Sequence, residues 1–407
     1  MNKKWIKKAC AGMLTATVVC TTAGSILASA APDGKTTADN LSKTTNLTEE
    51  WSSWQNKWNK TVSRDWTQIS LTPGSNATEL NFAWYSKKNG TSNAPKLKIG
   101  EGRKMKNSVT YTATQTEVKA EEDADGNTYL SNNVTAKGLK KNTTYYYSYE
   151  KEDGNFTTPE PYKVNSTDSF SFVYVGDPQI GSSNELKGKD TPEFYKAQSD
   201  AVMSDAFNWS ITLNSAMDKT NGKASFVVSA GDQIQTTKKK STGSTTERKN
   251  ANSEVEYSGY LSPEILKSLP VATTVGNHDA DNENYLYHFN RPNSSELGSN
   301  KIVGGDYYFT YGDVLFMMLN TQNTNVTEHK QFIEQTVKAN PNCKWKVVSL
   351  HQDIYGSAEH SNEPEIVNLR YSLTPYFEAN GVDVVLTGHD HAYSRSKILK
   401  GGTATET

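Results

Sequence analysis

Cysteine is scarce: three in 407 residues, at positions 10, 20 and 343. This excludes a disulfide-dense scaffold and a cysteine-rich zinc domain. An excess of basic charge is also missing. The 43 Lys and Arg against 45 Asp and Glu leave a net charge of −2, whereas a general nucleic-acid binder carries a basic surplus. No nucleic-acid surface is therefore expected. What is present suits a globular chain: hydrophobic residues make up 35%, with 21 Tyr and 8 Trp, enough to build a core. The length accommodates two domains plus extensions, at ~150 residues per domain.

The first thirty residues read as a leader rather than as part of the fold. Lys3, Lys4, Lys7 and Lys8 form a positive segment, Ala9 to Ala30 carry no charge, and the stretch ends Ala28-Ser29-Ala30. That is the small-x-small pattern of signal-peptide cleavage. A retained anchor fits less well, because Ala, Thr, Ser and Gly replace the Leu and Ile of a spanning helix. Cleavage leaves Cys343 as the single thiol and no transmembrane span, and takes the net charge from −2 to −6. The short lysine-rich start is of bacterial type, so a secreted or cell-surface location is expected.

Residues 31–61 are polar, and Trp51, Trp54 and Trp58 recur at helical spacing. From 62 to 166, Ile69–Leu71, Leu80–Trp84 and Tyr145–Tyr149 alternate with period two between turn signals such as Pro73-Gly74 and Asp125-Gly126, predicting a small β-sandwich. From 167 to 407 the pattern changes. Apolar runs at Phe170–Val175, Phe226–Ser229, Val271–Val275, Tyr307–Leu319, Val347–Leu350 and Val382–Leu386 alternate with helix-compatible stretches at Pro192–Met217, Thr327–Ala339 and Glu365–Ala379. That alternation predicts an α/β layered domain. Lys238–Ser253 reads as a loop.

Five of those runs end alike. Val175 leads into Gly176-Asp177, Ala230 into Gly231-Asp232, Val275 into Gly276-Asn277-His278-Asp279, Leu350 into His351, and Thr387 into Gly388-His389-Asp390-His391. Strand ends that converge on one sheet edge form a ligand crevice. The two carboxylates, one amide and three imidazoles delivered there are an O,N donor set suited to Mn, Fe or Zn. About six ligands point to two metals, with one carboxylate bridging them.

The ordered set Gly-Asp, Gly-Asp, Gly-Asn-His-Asp, His, Gly-His-x-His resembles the calcineurin-like metallophosphoesterases. With a β-sandwich in front and Gly388-His-Asp-His391-Ala-Tyr393-Ser-Arg395 behind, it is most similar to the purple acid phosphatase branch. Leu139-x-x-x-Thr143-x-Tyr145 likewise resembles the corner of fibronectin type III domains. The resemblance implies two packed mixed sheets flanked by helices, and a dinuclear centre of divalent or mixed-valence Fe, Mn or Zn. Asp177 and His391 would hold the first ion, Asn277, His351 and His389 the second, and Asp232 both. His278 would contact the phosphate, with Asp279 orienting it, and His360 would protonate the leaving group.

The implied activity is hydrolysis of small phosphate monoesters by in-line attack of a metal-bound hydroxide. A phosphodiesterase or nucleotidase is the alternative, as is a non-catalytic surface protein with a residual metal site. Two positions depart from the family. Gln235 stands where purple enzymes have Tyr, and Gln179 where many relatives have His; either amide is a possible weak ligand, and a colourless centre follows. Relatives also continue past Gly-His-x-His, whereas sixteen residues follow His391 here, so either the chain is shortened at its C-terminus or the domain closes early.

Overall fold

The computed structural model describes residues 37–90, 93–119, 123, 125–152, 154–184, 192–236 and 251–405. The leader expected over residues 1–30, with Cys10 and Cys20, lies outside the described residues. Contacts divide the chain into two compact units, Met1–Thr61 and Val62–Thr407. In the first, helix α1 (Thr37–Lys60) covers the tryptophan repeat, and the i,i+4 pair Trp54 and Trp58 lie with ring centroids 5.9 Å apart.

The second unit begins with nine strands: β1 (Ser70–Pro73), β2 (Leu80–Lys87), β3 (Lys96–Glu101), β4 (Lys106–Thr112), β5 (Thr114–Glu117), β6 (Tyr129–Ala136), β7 (Thr143–Glu152), β8 (Asn155–Phe156) and β9 (Glu160–Val164). They make two antiparallel sheets, one in the order β1-β2-β6-β5 and the other β4-β3-β7-β8, with β9 also on β7. Alternation explains the core. Leu80, Phe82 and Trp84 of β2 share one buried cluster with Tyr145, Tyr147 and Tyr149 of β7. Phe82 meets Tyr147 at 5.0 Å between centroids, and Trp84 meets Tyr149 at 5.5 Å. The opposite face of β2 is buried as well. Tyr85 stacks on His288 at 4.5 Å, and Asn81 donates to the Asn290 carbonyl at 2.8 Å, so the sandwich is sealed against the α/β part.

That part runs β10 (Ser171–Val175), α2 (Pro192–Lys219), β11 (Ala224–Ser229), α3 (Ala251–Leu261), β12 (Val271–Thr273), α4 (Asn284–His288), β13 (Tyr307–Tyr311), β14 (Val314–Met318), α5 (Val326–Ala339), β15 (Trp345–Ser349), α6 (Pro364–Ala379), β16 (Val384–Leu386), β17 (Leu399–Lys400) and β18 (Thr403–Ala404). Strands β10-β11-β12 form a parallel sheet, and β13-β14-β15-β16 a mixed one in which β13 and β14 pair antiparallel. Two packed sheets were expected; among the described residues one is purely parallel rather than mixed. Between them lies an aromatic layer. Phe226 is stacked on Phe172 at 5.6 Å and meets Phe316 edge-on at 5.2 Å, each such ring contributing about 1.5–3 kcal/mol by burial. Helices α5 and α6 cover the mixed sheet with Phe332, Ile333, Leu369 and Phe377.

The structure refines two readings of the sequence. Tyr307–Leu319, a single apolar run in the sequence, folds as a hairpin turned at Gly312, whose φ of +59° suits glycine. The Lys238–Ser253 loop is helical by Ala251, because Tyr257 and Tyr260 of α3 are fully buried and reward a helix there.

Candidate metal centre

The carboxyl ends of parallel β10, β11 and β12, and of parallel β15 and β16, open on a common edge. There the six predicted ligands meet. Ligand atoms of Asp177, Asp232 and His351 all lie within 4.8 Å of one another. His351 Nε2 is 3.4 Å from Asp232 Oδ2 and 2.9 Å from Asn277 Oδ1. His391 Nε2 is 3.6 Å from Asp177 Oδ1, and the His389 ring centroid is 4.9 Å from that of His351.

The backbone is bent to achieve this. Asp177, Gln179, Asp232, His389 and His391 all have positive φ, between 35° and 75°. For non-glycine residues that region is costly, and its concentration at one place marks a functional site. Glycine supplies the remaining clearance. Gly231 has φ +105°, and a Cβ there would run into the His351 imidazole; one at Gly388 would lie 2.7 Å from Asp177 Oδ2.

Hydrogen bonds then aim His351, Asp177 and Asp232. His351 Nδ1 lies 2.8 Å from the Ala230 carbonyl, so Nδ1–H donates and Nε2 faces the carboxylates. The His389 N–H donates to both Asp177 oxygens, at 3.0 and 2.9 Å, and the His278 N–H donates to Asp232 Oδ1 at 2.8 Å. The His278 ring sits with Nδ1 2.6 Å from the Gln235 carbonyl oxygen.

The electrostatics describe a pocket short of positive charge. Burial raises the Asp177 carboxyl, and the neighbouring Asp232 adds to the effect. Burial would lower the His351 imidazole, but Asp232 and then Asp177 outweigh it and push it up to about 9. His389 goes the other way, down to about 4, through burial and the nearness of His351 and His360; it is a neutral donor at neutral pH. Two buried carboxylates recruiting a proton onto an imidazole are the setting a divalent cation fits. The donor chemistry agrees, with carboxylate, amide and imidazole and no thiolate.

Asp279 is where the sequence reading fails. It does not orient His278. Fully buried, its carboxylate accepts the N–H groups of Asp232 (2.9 Å), Gln233 (3.2 Å) and Gly276 (2.9 Å) and the Gln233 side-chain amide (2.9 Å). It ties the β11 and β12 loops together beneath the ligands. His360, by contrast, does reach the site: its ring centroid is 4.3 Å from that of His389. Gln179 Nε2 is 3.5 Å from Asp232 Oδ2. Glu363, unnoticed in the sequence, holds His360 Nδ1 at 2.7 Å; the i,i+3 spacing of His360 and Glu363 was the available signal.

Comparison with known proteins completes the picture. Residues 170–393 match the calcineurin-like phosphoesterase family. The chain belongs to that family. Residues 66–173 match the purple acid phosphatase N-terminal domain. A purple acid phosphatase from yellow lupin (Lupinus luteus) seeds superposes with a TM-score of 0.56 at 16% identity, over 83% of this chain and 61% of that one, and so has a similar fold. An uncharacterised protein of Mycobacterium tuberculosis, matched alike in two strains, is 28% identical over 149 residues, 33% of this chain and 28% of its own length. The chain thus spans less than two thirds of either relative. Family membership implies divalent metal ions at this calcineurin-like phosphoesterase centre, and no helix among the described residues is long and apolar enough to cross a membrane.

Proposed function

We propose that this calcineurin-like phosphoesterase is an exported, two-metal enzyme that hydrolyses small phosphate monoesters. The observation that carries the reading is the convergence of Asp177, Asn277, His351, His389 and His391 around Asp232. Asp177 and His391 would hold one cation and Asn277, His351 and His389 the other, with Asp232 between them. Gln179 and Gln235 are the supplementary amides. When bound, such a pair supplies a hydroxide nucleophile near neutral pH and neutralises phosphoryl charge.

The chain's own groups do the rest. His278, 22% exposed in its side chain and facing Asp232 at 4.0 Å, presents its Nε2 to a phosphoryl oxygen while the Gln235 carbonyl fixes the ring. His360, beside His389, would give a proton to the departing alkoxide. No covalent phospho-enzyme is required. The architecture read from the sequence fits this role: a leader at 1–30, a polar segment at 31–61, a fibronectin III-like sandwich at 62–166 and the catalytic domain at 167–407. Support for the sandwich assignment comes from Tyr145, whose hydroxyl accepts the Lys140 N–H at 2.9 Å, the bond that defines a tyrosine corner.

Two tests apply. Asp232→Ala should lose bound metal and turnover together, by more than the ~10–100-fold that removing an outer partner costs. Elemental analysis beside a panel of p-nitrophenyl phosphate, bis-p-nitrophenyl phosphate and nucleotides reads this, and also separates monoesterase from diesterase or nucleotidase action. Unchanged turnover in Asp232→Ala would end the proposal. With Gln235 in place of a phenolate donor, the metal-loaded protein should be colourless, and a strong visible charge-transfer band would contradict that.

A further inference from the structure

We propose that His360, Glu363 and His389 form an additional, weaker cation site at the rim of the centre, suited to zinc or a similar late divalent ion, whose filling inhibits the enzyme. The three residues each offer one ligand atom, and these atoms lie within 4.8 Å of one another. They form a group separate from Asp177, Asp232 and His351. Two imidazoles and a carboxylate with a position open to solvent are the donor set of many three-ligand zinc sites. His360 and Glu363 keep 43% and 38% of their side-chain surface exposed, so an ion from solution has access.

The site is built rather than accidental. Glu363 immediately precedes α6, and its Oε1 lies 2.7 Å from His360 Nδ1. Around a tetrahedral zinc two such ligand atoms stand ~3.3 Å apart, given bonds of ~2.0–2.1 Å, so the pair needs to open only slightly. Asp390 fixes the third member. Lying between His389 and His391 and only 7% exposed, it accepts the Ala358 and His360 N–H groups, each at 2.9 Å. The loop carrying His360 is thereby clipped to the turn carrying His389, and the two rings stay 4.3 Å apart.

His389 stands between the two groups, its ring closer to His360 than to His351, at 4.3 against 4.9 Å. An ion on the rim therefore takes His389 away from the inner centre and occupies His360 at the same time. Excess cation should slow turnover as this site fills. The inference rests on the two-metal reading for its inhibitory consequence, but the binding itself does not.

Equilibrium dialysis of the full chain against graded free zinc, with elemental analysis and turnover of p-nitrophenyl phosphate on the same samples, tests it. Wild type should take up one zinc more than its tightly held complement, and lose turnover over the same concentration range. Glu363→Gln and His360→Ala, checked for unchanged thermal melting, should lack that last zinc. In Glu363→Gln the inhibitory midpoint should rise about tenfold or more, as loss of a supporting ligand does. If wild type and both variants bind equal zinc with superimposable inhibition curves, the rim site does not exist. If tight uptake in wild type is below two zinc ions, the two-metal reading fails instead, and the difference between wild type and Glu363→Gln still decides the rim site.

Discussion

Asp279 carries out its part without facing the ligand space. Burial, and then the nearby Asp232 charge, push its carboxyl up to about 7, and four donors converge on it. Replacing it with Asn turns an NH2 group against N–H donors while leaving the volume unchanged. Asp279→Asn should therefore lower metal affinity ~10–100-fold, as other outer partners do, and lower the melting temperature of the metal-free protein. Dialysis and calorimetry read the two effects separately. At this scale the sequence told most about residues that follow a strand directly. Asp177, Asp232, Asn277, His351, His389 and His391 could be grouped because each ends an apolar run. Asp279 could not be placed the same way. Adjacency to His278 suggested a pair, but the turn after Asn277 sends the two side chains apart, His278 toward Gln235 and Asp279 beneath the backbone. Glu363 was hard to see for a related reason, since its partner His360 opens a single 3-10 turn, too short for any periodicity beyond the i,i+3 spacing to flag it.

The elements that matter most are strand-to-loop junctions. Gly231, two residues past β11, has φ +105° with the His351 ring where a side chain would begin. Gly231→Ala must strain the backbone and displace His351 together. A loss of roughly 1–3 kcal/mol for the conformation alone is expected, with weakened metal binding, measured by urea unfolding and by metal content. A gain or no change in either would show that the junction is not under this constraint. Element type was readable wherever a run was long and periodic, as in α2, α5, α6 and β7. It was not readable where tertiary burial decides. The α3 sequence is polar at its start and becomes a helix through Tyr257 and Tyr260, and β13 and β14 are separated only by Gly312-Asp313.

Across the whole molecule, stability also has a pH component away from the centre. Burial would raise the Asp65 carboxyl, but Lys151, at 3.0 Å, and the Thr67 hydroxyl and N–H outweigh it and hold it below its ordinary range. A carboxyl depressed in the folded state adds stability that is fully present above its unfolded value and is lost as pH falls through its folded value. Asp65→Asn should thus be less stable than wild type at pH 7, by about 1 kcal/mol or less because the side chain is 36% exposed, and the two should converge near pH 2. Urea melts of metal-free protein at both pH values measure this; an equal gap at both would assign the effect to packing rather than charge.

One junction bears on how the enzyme matures. The His389 N–H closes on the Asp177 carboxylate from 212 positions further along the chain, so a ribosome must release nearly the whole domain before that bond can form. A nascent chain cannot assemble the cage early. Ions are therefore captured by an almost complete fold rather than by the emerging segments, so occupancy is decided after chain release.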